Sequence, residues 1–85
     1  MERKVLVDEI ADFCVCYGLF KKSDSINAIK ERIERGLEDS DFLESLINTI
    51  MLKTKKRKNI DIERLKGLLL ELEKVRLEQE YKEQV

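Results

Sequence analysis

The stretch from Ile60 to Lys82, IDIERLKGLLLELEKVRLEQEYK, is the longest uninterrupted helical pattern in the chain, and everything else must pack around it. From Ile62 its apolar residues recur at Leu65, Leu68, Leu69, Leu72 and Val75. At about 100° per residue they fill an arc of roughly 140°, the width of a stripe that faces a core. Asp61 is placed to cap this helix, and Ile60 with Leu65 has the spacing of a hydrophobic staple. A second apolar set, Leu70, Leu77 and Tyr81, repeats at seven and four residues. It lies roughly 150° round from the first. A helix with two apolar faces has two surfaces to bury.

Three shorter helical patterns precede it. The first, about residues 2–17, carries Leu6, Ile10, Phe13, Cys14 and Tyr17 on one face, and Gly18 stands where a left-handed stop belongs. Leu19 and Phe20 follow and are expected to fold back on the core. Ser23, Asp24 and Ser25 are all N-cap candidates for the second, about 25–36, whose stripe is Ile26, Ile29, Ile33 and Leu37. That stripe is narrow, so this helix is expected on the surface with one edge in. Gly36 is its expected terminator, and Lys30–Glu34 and Glu31–Arg35 are its expected ion pairs. The third, about 41–54, starts at Asp41 with Glu44 in capping-box spacing. Its two apolar rows, Phe42–Leu46–Ile50 and Leu43–Ile47–Met51, predict the most buried helix of the four.

The expected fold is therefore all-α: one domain, 1–85, forming a small four-helix bundle. Helix four, about 61–82, is expected to project one or two turns beyond its shorter neighbours. Composition agrees, with 41% charged residues, 42% hydrophobic and no proline. No apolar run approaches the roughly 20 residues of a membrane span. Asp8 and Glu9 interrupt what would be the apolar part of a signal peptide. Cys14 and Cys16, about 200° apart on a helix, are expected as reduced thiols. The expected location is the cytoplasm.

Catalytic chemistry finds little to work with. The chain has no histidine, and it shows no phosphate loop, nucleophile elbow or metal-ligand spacing. No catalytic, cofactor or metal residue is assigned, and the expectation is a protein that is not an enzyme. The strongest charge feature is Lys53-Thr54-Lys55-Lys56-Arg57-Lys58, five cations in six residues. Lys53, Lys55, Lys56, Arg57 and Lys58 are the candidate phosphate contacts of an alternative function, a nucleic-acid-binding regulator. Acidic flanks oppose it: Glu38 to Glu44 carries only acidic charge, and the net charge of the chain is −1.

The second stripe carries the leading expectation. Leu70, Leu77 and Tyr81, with Lys74 among them, are the candidate interface for another protein or for a second copy of this chain. Burying a large apolar side chain is worth about 1.5–3 kcal/mol, so three supply a useful driving force before the entropic cost of association.

The lysine-heavy run KTKKRK, the isoleucine-rich DSINAIKERI, the lack of Pro and Trp, and the presence of only two Ala give the chain a recognisable style. It resembles small all-helical interaction proteins encoded by phages and phage-related mobile islands of Gram-positive bacteria. The resemblance implies a small regulator or inhibitor that binds a protein of the host or of a competing phage.

Overall fold

A computed structural model of the chain describes residues 2–21 and 23–83, with side-chain surroundings described as far as residue 78. Its helices are α1 (Arg3–Cys16), α2 (Ile26–Glu38), α3 (Ser40–Lys55) and α4 (Ile62–Glu83), with no strand among the described residues. Each boundary has a local cause. Gly18, at φ +61°, lets the chain turn back after α1. The Leu19 amide then donates to the Cys14 carbonyl and the Gly18 amide to Val15, the paired bonds of a Schellman stop. Leu19 is buried as a result, and Phe20 packs against the core beside it.

Among the three cap candidates before α2, it is Ser25 whose hydroxyl accepts from the Ala28 amide. Asp61 caps α4 as its spacing predicts, accepting from the Arg64 amide at 3.1 Å. Ile60 packs against the core that holds Leu65, as the staple requires. Asn59 precedes this cap at φ 63°, a left-handed conformation that asparagine tolerates better than most residues.

The α2–α3 junction departs from the sequence expectation. Gly36 does not end α2, which continues through it to Glu38. Asp39 alone joins the two helices, and its carboxylate, not that of Asp41, accepts from the Asp41 and Phe42 amides to start α3. Gly36 has a packing role instead. A Cβ at this position would lie 3.0 Å from Leu43 Cδ1 and 3.3 Å from Leu43 Cα, so its bare backbone lets the first turn of α3 fold closely onto α2.

With that close approach, α2 packs against α1, α3 and α4; α4 likewise packs against the other three, while the backbones of α1 and α3 do not come close. α2 still keeps a narrow buried stripe, Ile29, Ile33, Gly36 and Leu37, with its outer face exposed, as its spacing predicts. The rank expected of α3 is reversed, since its buried residues Leu43, Leu46, Ile50 and Thr54 form a single stripe. Ile47 and Met51 are only partly buried, and the Arg35 guanidinium covers the Phe42 ring at 4.7 Å. α1 buries more, with Leu6, Val7, Ile10, Ala11, Phe13 and Cys14. The ion pairs expected within α2 give way to contacts with neighbouring helices. Lys30 reaches Asp8 of α1 at 3.1 Å, and Arg35 goes to Phe42. In α4, Leu65, Leu68, Leu69 and Leu72 join the core as their spacing predicts.

Candidate interaction surfaces on α4 and at the basic cluster

With its first stripe committed to the core, α4 turns the rest of its circumference outward. Leu70 and Leu77 are 52% and 56% exposed, although buried Leu69 and Leu72 stand one and two residues from Leu70. Single exposed leucines are common, and Leu52, 60% exposed on the outer side of α3, is one. Leu70 and Leu77 differ because they repeat at seven residues on one helix face. Lys74 lies between them, exposed, with its Nζ 3.6 Å from Glu71 Oε1. Tyr81 falls within the span of α4, but its side chain lies outside the described residues.

Gly67 belongs to the same face, three residues before Leu70 and seven before Lys74. A Cβ built there meets nothing within 4 Å among the described residues, and these do not require glycine at this position. The sequence signal that marks Gly67 is its heptad spacing to Lys74. On the side towards α3, Leu77 also borders an open groove of about 390 Å³ lined by Leu43, Ile47 and Asn48 together with Glu73 and Arg76.

The basic run is divided by the fold. Arg57 Nη2 donates to the Gly18 carbonyl at 2.7 Å. Lys53 is half-buried, its Nζ 4.9 Å from the centroid of the Phe20 ring, over which Arg32 also lies at 5.6 Å. Both contacts lie where α1 and α3 end, and cations near helix C-termini offset the partial negative charge there. Lys55, Lys56 and Lys58 remain exposed. Lys21, far away in sequence, joins Lys53, Lys56 and Arg57 around a shallow groove of about 350 Å³. No local sequence pattern marks Lys21, because it is the turn after Gly18 that brings it there.

The two cysteines diverge as expected. Cys14 is buried and Cys16 exposed, and neither is in a disulfide. Burial pushes the Cys14 thiol up to about 12, against a smaller opposing effect of Lys53. A thiol held protonated is a poor nucleophile. No group of three or more His, Cys, Asp or Glu side chains among the described residues is placed to hold a metal ion. No helix among them is long and apolar enough to cross a membrane. Comparison with family models, with curated proteins and with solved structures yields no match to this chain.

Proposed function

We propose that this chain is a non-enzymatic protein–protein interaction module, a small cytoplasmic regulator or inhibitor that works through the outer face of α4. The observation that carries this reading is the paired exposure of Leu70 and Leu77 on a helix whose other leucines are buried. Two large apolar side chains in line, with a lysine between them, offer a short seam for another helix. The reading takes the molecule as a four-helix bundle from which α4 projects. In support, α4 has 22 residues against 13–16 in the others, and the longest dimension is 43 Å beside 26 and 22 Å. The style shared with phage and mobile-island proteins supports a host or competitor protein as the target.

The test is a pull-down from the native host cytoplasm with the wild type beside a Leu70→Glu, Leu77→Glu, Tyr81→Glu variant whose helical circular dichroism is unchanged. The expected result is a partner retained by the wild type and lost by the variant. Equal retention by both removes this face from consideration.

The alternative, a nucleic-acid-binding regulator, draws support from Lys21 joining the cations of the basic run. It is weakened because Arg57 and Lys53 already serve the α1–α2 turn. Binding that falls steeply with salt, and disappears when Lys55, Lys56 and Lys58 become Gln, favours it over the α4 reading.

A further inference from the structure

We infer that the outer face of α4 pairs with the same face of a second copy of this chain, and that the two helices run antiparallel. This rests on the α4 reading above and names its occupant and geometry. Gly67, Leu70, Lys74 and Leu77 are spaced three, four and three residues apart, the alternation of the two seam positions in a coiled coil. All four are exposed.

Orientation follows from what each arrangement sets face to face. A parallel, in-register pair stacks Gly67 on Gly67, leaving a hole, and Lys74 on Lys74, opposing two ammonium groups in the seam. An antiparallel pair centred near Leu72 sets Leu77 of one copy against Gly67 of the other. The open space beside Gly67, where even a Cβ meets nothing within 4 Å, then receives a leucine. Leu70 faces Lys74, whose methylene stem covers it while the ammonium reaches outward.

Flanking charge points the same way. Arg64 and Glu78 are exposed at opposite ends of the seam, two helical repeats apart. Antiparallel pairing sets Arg64 of each copy beside Glu78 of the other; parallel pairing does not. Glu71 and Glu73 fall near the two-fold axis and face their own copies. Lys74, already 3.6 Å from Glu71, offsets that repulsion.

The closing experiment uses the purified full chain. Light scattering across a dilution series is expected to show a mass approaching twice 10.1 kDa at the concentrated end. Gly67→Cys and Leu77→Cys variants, each with Cys16→Ser, are mixed and oxidised mildly. The expected product is the mixed 67–77 disulfide, because in this arrangement Leu77 lies about 15 Å along the axis from its own copy. Arg64→Glu is expected to weaken association roughly tenfold at low salt, and adding Glu78→Arg to restore it. A monomer at the highest soluble concentration overturns the proposal, as does predominant 77–77 disulfide or failure of the charge swap to rescue. In any of these cases, a host partner still lost by the Leu70, Leu77, Tyr81 variant leaves the interaction reading standing without the second copy.

Discussion

Arg57 donates from Nη2 to the carbonyl oxygen of Gly18 at 2.7 Å, tying the turn that ends α1 to the segment that follows α3. α1 and α3 do not otherwise approach each other closely. With Lys53 over Phe20 in the same region, this bond gives part of the basic run a place in the fold.

Arg57→Gln is expected to lower stability by about 0.5–1.5 kcal/mol, the usual worth of such a hydrogen bond. Lys55→Gln, Lys56→Gln and Lys58→Gln, at exposed positions, should each stay within about 0.5 kcal/mol of the wild type. Urea unfolding of the four variants side by side checks the contrast. Equal losses from all four would show that the bond to Gly18 has no special weight.

Two helical glycines should respond to alanine in opposite directions. At Gly36 the new Cβ crowds Leu43 Cα, held in place by the single-residue link through Asp39. Overpacking typically costs about 1–3 kcal/mol, which exceeds the gain in helix propensity, so Gly36→Ala should destabilise. At Gly67 the space is open, and Gly67→Ala should stabilise by up to about 1 kcal/mol in solutions dilute enough for monomer. Thermal unfolding midpoints moving apart, one down and one up, are the readout.

Asp39→Ala removes the acceptor for the Asp41 and Phe42 amides at the start of α3. The expected loss is about 1 kcal/mol, with Asp39→Asn losing much less because asparagine also caps. By contrast, Asp41→Ala should have little effect on chemical denaturation, since the cap lies two residues earlier.

Cys14 gives a dependence on alkaline pH. Its folded pKa is raised from 9.0 to about 12 by burial, so above pH 9 the unfolded chain releases a proton that the folded chain keeps. Fewer protons bound in the unfolded state means that stability falls as pH rises, by about 1.4 kcal/mol per unit between the two values. Below the lower value this group has no effect. Comparing urea midpoints at about pH 8 and about pH 10, Cys14→Ala should show a shallower decline than the wild type, whatever its baseline loss. Identical slopes would mean that Cys14 is not sheltered as described.

What could be read in advance depended on range. Gly18 as a helix stop, Asp61 as a cap and the Leu65–Leu72 stripe are written within a few residues of where they act. They occur as the spacing predicts. Gly36 misleads because a glycine near the end of an apolar stripe also reads as a terminator. Its actual neighbour, Leu43, belongs to the next helix, and local sequence does not report that approach. The Lys30 pair went to Asp8 rather than to Glu34 for the same reason.

Four amphipathic helices and the two-faced character of the last were legible in the chain alone, because helical periodicity is a property of adjacent turns. The meeting of the helices in space sets which pairs touch, with α2 and α4 each packed against the other three, and gives Arg57 to the α1 turn. It also leaves the position beside Gly67 open, with nothing among the described residues within 4 Å of a Cβ placed there. Those outcomes depend on how closely two backbones approach, which is set by side-chain volumes on separate helices meeting in space.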